Sequence, residues 1–323
     1  MHIYLLLKTH YRRNCVKLST QRFLRLAIKK VERKMLIILF GIITVVVLVC
    51  LVSNSGQLLM TPLISPEKFL SSMPHISISL FGNEKVLIQP SSTFIVYFLG
   101  FFMILIGIYF FITRKGQRSR KYWGIGIILW GISAVVAGTS YQAFGYELKC
   151  AGRDYCLFTS NFELVYMLLT AYCINFLVVS TGYTSVGEVG QKRLLRFALI
   201  DSILYSTYLL IGSVVPIKFL ISYEGFMAFI GGNFILMFIL NIRHYKIFKD
   251  VLNRNLIIIW LGFLVVNLGY FAFLFGGFGQ ILYQNLGIWF NENDILHILL
   301  ILWSAMSFFL LRIKMKDTVA DRP

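Results

Sequence analysis

Eight stretches of 17 to 23 mostly apolar residues run through the chain: Leu36–Val52, Thr93–Thr113, Tyr122–Gln142, Phe162–Gly182, Phe197–Val215, Gly225–Ile242, Leu256–Phe278 and Ile295–Leu311. A helix rising about 1.5 Å per residue needs about 20 such residues to cross the hydrocarbon of a bilayer. In hydrocarbon the backbone amides have no water to bond, so an isolated segment satisfies them by folding as a helix. The sequence therefore predicts an all-α polytopic integral membrane protein. Composition agrees: of 323 residues, 58% are hydrophobic and 14% charged, with a mean hydropathy of +0.75. Soluble domains carry about 25% charged residues. A free cytosolic enzyme, a nucleic-acid-binding domain and a disordered chain are thereby excluded.

The net charge of +17 would fit a nucleic-acid binder if it were clustered. It falls instead in short runs between the spans. With residues 1–35 inside and the spans alternating, 26 of the 31 Lys and Arg lie on the inner side. Only Lys68, Lys85, Lys149, Arg153 and Lys218 lie outside. Cytoplasmic loops are enriched in this way, and one missed span would invert every later loop and spoil the split. The expectation is a cell-membrane protein with both termini cytoplasmic, the lipid bilayer as its main partner and no nucleic acid.

The first span stands apart, separated from the other seven by an outer segment, 53–92. The plan is one leading transmembrane anchor (36–52), a seven-helix membrane core (93–312) with short loops, and a cytoplasmic tail (313–323). Residues 1–35 form a basic segment. Within it Leu24, Ala27, Ile28, Val31 and Met35 share one helical face, as in an amphipathic helix that binds anionic lipids of the inner leaflet. Alternatively Met35 is the start and Leu36–Val52 a signal-like segment. In the outer segment, Ile76–Leu80 alternates, Gly82-Asn83 follows, and Val86–Ile88 resumes. That pattern fits either a β-hairpin with a type II′ turn or an ordered linker.

Ionisable groups at membrane depth are costly and point to function. Ser140 lies at the outer end of the second core span, Glu163 at the outer start of the third, and Asp294 and His297 at the outer start of the seventh. All four fall within about two turns of one interface. Asp294 and His297 are i, i+3 and share a helix face; a carboxylate beside an imidazole fixes its tautomer and raises its basicity. Capping is the competing explanation. Ser160-Asn161-Phe162-Glu163 matches S-x-x-E, and Asn291-Glu292-Asn293-Asp294 is an acidic, Asn-rich helix start. Asn175, Asn233 and Asn267 lie near mid-depth and read as interhelical hydrogen-bond partners. Asp201 reads either as a first-turn acid or as a proton or cation site. Cys150 and Cys156 share one outer loop, where a disulfide is permitted; two free thiols are the alternative.

Seven core helices with polar groups at the outer ends of the second, third and seventh resemble the CREST superfamily of alkaline ceramidases and adiponectin and progestin receptors. The segment Gly138–Phe144 resembles its S-x-x-x-H motif, with Ser140 in the serine position. Glu163 takes the acid position, and Asn293-Asp294-Ile295-Leu296-His297 the closing H-x-x-x-H. The resemblance implies a zinc-dependent hydrolase acting on a lipid amide. Phe144 and Asn293 stand where the family has histidines, so His297 is the one metal ligand that remains. The closing N-D-x-x-H also resembles that of small bacterial polytopic membrane proteins. Two functions follow as expectations. One is an intramembrane hydrolase acting on a lipid amide or ester at the outer leaflet, with His297 as base or zinc ligand, Asp294 orienting it, and Glu163 and Ser140 in support. The other is a non-catalytic membrane sensor or small-solute carrier.

Overall fold

The computed structural model describes residues 33–53 and 57–318. The readings made for residues 1–32 lie outside it. The structure is 77% helical, and among the described residues eight helices are long and apolar enough to span a membrane. The protein is an all-α, multi-pass integral membrane protein.

The chain divides into two units, 1–44 and 45–323. The described part of the first is the opening turns of α1 (Arg33–Val52). In the second unit the 53–92 segment is ordered where described. A short helix α2 (Pro66–Ser71) precedes an antiparallel hairpin of β1 (His75–Leu80) and β2 (Asn83–Ile88). The two-residue turn is Phe81-Gly82, not Gly82-Asn83. Both residues have positive φ, 51° and 80°, so the turn is of the I′ rather than the II′ kind. Register decides this: Leu80 pairs with Asn83, which places Asn83 in the strand.

The remaining spans are α3 (Pro90–Ile112), α4 (Arg118–Gly138), α6 (Asn161–Ser185), α7 (Glu188–Val214), α8 (Tyr223–Phe248), α9 (Val251–Phe275) and α11 (Glu292–Leu311), with short helices α5 (Gly145–Lys149) and α10 (Phe278–Leu286) between spans. Their starts follow local chemistry. Pro90 opens α3, where its missing N–H costs nothing. Ser160, Ser222, Asp250 and Asn291 accept backbone N–H bonds at the starts of α6, α8, α9 and α11. Several helices outrun their apolar stretch. α7 begins at Glu188, nine residues before the expected Phe197, and α8 continues to Phe248.

Six helices pack in a closed ring, in the order α3, α4, α6, α8, α9, α11 and back to α3, with α7 against α6. The backbones of α3 and α4 touch through glycines. A Cβ on Gly131 would lie 2.5 Å from the Gly100 carbonyl oxygen, so only small residues allow this approach. α6 is the most enclosed span, 89% buried over its apolar window. At the end of the ring where α6 starts, the disulfide face, the hairpin is tied to α5. Glu147 accepts from Val86 N–H at 3.0 Å and from Lys85 Nζ at 3.1 Å. At the opposite tail face, Asp317 accepts from the backbone N–H of Arg118 and Ser119, at 2.8 and 2.7 Å. It caps α4, whose own N-cap Gln117 supplies no side-chain bond to the helix start.

Candidate functional site

α4 ends in a π-helical turn, Thr139–Ala143, a local widening frequent at functional sites. It turns Ser140 toward α6, where Ser140 Oγ donates to Glu163 Oε1 at 2.8 Å. Lys149 Nζ donates to the same oxygen at 2.9 Å, and Thr159 Oγ1 to Oε2 at 3.0 Å. Because the Ser140 proton goes to the carboxylate, Ser160 supplies the proton of the 2.6 Å contact between the two serine hydroxyls. Ser140, Lys149, Thr159, Ser160 and Glu163 are all buried. Half of the expected capping box forms: Ser160 Oγ accepts from Glu163 N–H at 3.3 Å. The Glu163 carboxylate turns away to the network, where three donors occupy it. Cys150 and Cys156 are joined in a disulfide, Cα–Cα 4.3 Å, directly after Lys149. The bridge closes the loop that holds the lysine over Glu163.

Asp294 completes the other box. Its Oδ2 accepts from Asn291 N–H at 2.8 Å, while Asn291 Oδ1 accepts from Asp294 N–H at 3.1 Å. Among the described residues no hydrogen bond joins Asp294 to His297. The carboxylate expected to orient the imidazole caps α11 instead. Asn291 Nδ2 donates to Gln89 Oε1 at 3.3 Å, and Trp289 Nε1 to Ser92 Oγ at 3.2 Å. These bonds fasten the start of α11 to that of α3.

His297 has a different setting. It lines two adjoining cavities inside the ring, shared also by Ala137, Tyr166, Tyr223 and Leu296. The outer chamber, about 340 Å³, is the more polar: Tyr141, Gln142, Glu224, Tyr270 and Asn293 complete its wall. The inner chamber, about 150 Å³, is mostly apolar and takes side chains from all six ring helices, among them Leu99, Trp130, Ile174, Phe234, Phe263 and Leu300. His297 Nδ1 is buried and has no hydrogen-bond partner among the described residues. Tyr141 connects this cavity to the Glu163 network. Its ring packs on Tyr166 with centroids 5.7 Å apart, Lys149 Nζ lies 5.3 Å from its centroid, and it interacts electrostatically with Glu163.

A second polar cluster joins α6, α7 and α8. Asp201 Oδ2 accepts from Asn175 Nδ2 at 2.9 Å and from Asn233 Nδ2 at 3.0 Å, and Asn175 Nδ2 also reaches Ser202 Oγ at 2.9 Å. Since α7 starts at Glu188, Asp201 lies 13 residues in, roughly 20 Å along the helix. It is a mid-span carboxylate, not a first-turn acid. Asn267 stands apart, donating to the Phe263 carbonyl of its own helix at 2.7 Å.

Of the four expected site residues, the structure joins Ser140 to Glu163, assigns Asp294 to a cap and leaves His297 in the cavity. Sequence reasoning missed Lys149, Thr159 and Glu224, and the tyrosines at 141, 166, 223 and 270. A readable signal for the tyrosines existed, since each lies near the same end of a different span. Zinc does not fit. Among the described residues no three His, Cys, Asp or Glu side chains gather closely enough to hold a metal ion. Phe144 and Asn293 offer no imidazole beside His297, and stable zinc sites take three or four ligands. No protein-family model, curated protein or solved structure matches the chain.

Proposed function

We propose that this protein is a sensor or carrier that takes a small amphiphilic molecule from the outer side of the membrane into the centre of its helix ring. The basic residues put the tail face in the cytoplasm, so the polar chamber faces out. One observation carries the reading: His297, with a buried nitrogen that has no partner among the described residues, lies on the wall common to a polar chamber and an apolar one. Mostly apolar cavities with a few convergent polar groups are the usual form of small-molecule sites.

Binding is favoured over hydrolysis because the groups a hydrolase would need are engaged elsewhere. Ser140 and Glu163 bond each other and their neighbours, and Oδ2 of Asp294 bonds its own helix start, leaving Oδ1 buried without a partner among the described residues. His297 is left without an orienting carboxylate or an adjacent nucleophile.

The test is titration with hexanol of the protein in zwitterionic nanodiscs, read by tryptophan fluorescence, since Trp130 lines the inner chamber. Saturable quenching is expected, and Ala137→Phe, which places a ring at the junction of the chambers, should abolish it. A linear response in both proteins, as for simple partition into lipid, would refute the reading. Release of product from a short-chain amide or ester, dependent on His297, would establish a hydrolase in its place.

A further inference from the structure

We infer that the cavity takes an organic cation: a primary ammonium group on a compact apolar body about the size of a hexyl chain or a phenyl ring. The inference rests on the cavity being a binding site and adds the charge and size of what binds there.

Charge comes first. Among the described residues no Lys or Arg lines either chamber, and Glu224 is the one carboxylate on the wall. Glu224 interacts electrostatically with Tyr223 and Tyr270, and Glu292 acts on Tyr270 as well. Lys149, which stacks on Tyr141, is itself neutralised by Glu163. The outer chamber is therefore net negative. An anion entering it would meet like charge and no cationic partner.

The aromatic lining acts in the same sense. Tyr141, Tyr166, Tyr223 and Tyr270 come from α4, α6, α8 and α9 and surround one chamber. Aromatic faces carry negative charge density and attract a cation lying within about 6 Å of the ring centroid. A primary ammonium has three donors and no acceptor. The chamber wall carries residues with acceptor groups: the Glu224 carboxylate, the carboxamides of Gln142 and Asn293, and the His297 imidazole.

Size comes from the inner chamber. The inner chamber holds about 150 Å³, a volume that admits a benzene-sized body. A full lipid acyl chain would not fit within it; a six-carbon body would. His297, lining both chambers, would meet the ligand where its polar head joins its apolar part.

The experiment uses three isosteric probes, hexylammonium, hexanol and hexanoate, on the full chain in zwitterionic nanodiscs, with empty nanodiscs subtracted. Hexylammonium should bind saturably and at least tenfold more tightly than hexanoate, with hexanol between them. Glu224→Gln should weaken hexylammonium at least several-fold more than it weakens hexanol, a selective loss that a general loss of folding would not produce. Hexanoate binding as tightly as hexylammonium, or Glu224→Gln without effect on the cation, would overturn the charge assignment while leaving the cavity reading intact. Failure of all three probes to bind saturably, or binding unaffected by Ala137→Phe, would overturn both.

Discussion

The Lys149 ammonium lies 2.9 Å from the Glu163 carboxylate, with 6% and 4% of the two side chains exposed. A pair this enclosed is costly to desolvate, and breaking it is worse than replacing it. Lys149→Ala should lower stability by about 3–5 kcal/mol, because a carboxylate is left buried without its cation. Lys149→Met combined with Glu163→Leu should cost less than Lys149→Ala alone. Denaturant unfolding in detergent micelles checks both; a double variant less stable than the single would show that the ion pair does not dominate this site.

At mid-span, Asp201 accepts from two asparagines on neighbouring helices. Interhelical bonds of this kind average about 0.6 kcal/mol and reach about 1.7. Asp201→Ala leaves both amides without their acceptor and should cost about 1–2 kcal/mol, whereas Asp201→Asn keeps a carbonyl in place and should cost less. Equal losses for the two substitutions would mean that packing, not hydrogen bonding, sets the effect.

Acid should act at the tail face through Asp250, which caps α9. Burial raises the Asp250 carboxyl, but bonds from the Asn253 backbone and side chain and from His244 outweigh it, and the net value lies below the ordinary 3.8. A carboxyl held lower in the folded state than in the unfolded one stabilises the fold fully above its unfolded value, and loses that contribution as pH falls through the folded value. Asp250→Ala should therefore cost about 1 kcal/mol at neutral pH, as lost caps do, and the gap from wild type should close below about pH 4. Unfolding midpoints measured from pH 7 to pH 3 would reveal it. A gap that widened in acid would reverse the sign.

Orientation has a direct readout. In a Cys15→Ser background, Phe81→Cys at the fully exposed hairpin tip should react with a membrane-impermeant thiol reagent on intact cells. Lys115→Cys, between α3 and α4, should react only after permeabilisation. The reverse pattern would invert the topology and the side from which a ligand enters.

The spans were legible in the sequence because hydropathy is local and adds along a window. Helix ends were less so: Gln191, Lys192, Arg193 and Arg196 mark the end of the apolar stretch, yet all four are helical within α7. Depth was readable too, and it put Ser140 and Glu163 at one level. Their partner was not, since a lysine in an outer loop reads as solvated and nothing in its spacing turns Lys149 inward. The hairpin turn was misplaced by one residue because Phe81 takes a positive φ, which the steric preference of a bulky side chain disfavours. The depth of His297 in its span was legible in the same way as that of Ser140 and Glu163. That its neighbours are tyrosines rather than Asp294 depends on which helices meet in the ring.

The capping of α4 by Asp317 has a consequence for biosynthesis. Arg118 and Asp317 are 199 positions apart, and at about 5–20 residues per second a ribosome takes on the order of ten to forty seconds to make that length of chain. For that interval the first amides of α4 lack the side chain that will cap them. The seam between α3 and α11 stays open as well, because its second half has yet to be made. Nascent α3 and α4 can associate early through Gly100 and Gly131, but the pair remains an unfinished edge in the bilayer, and the ring closes only once α11 has been made.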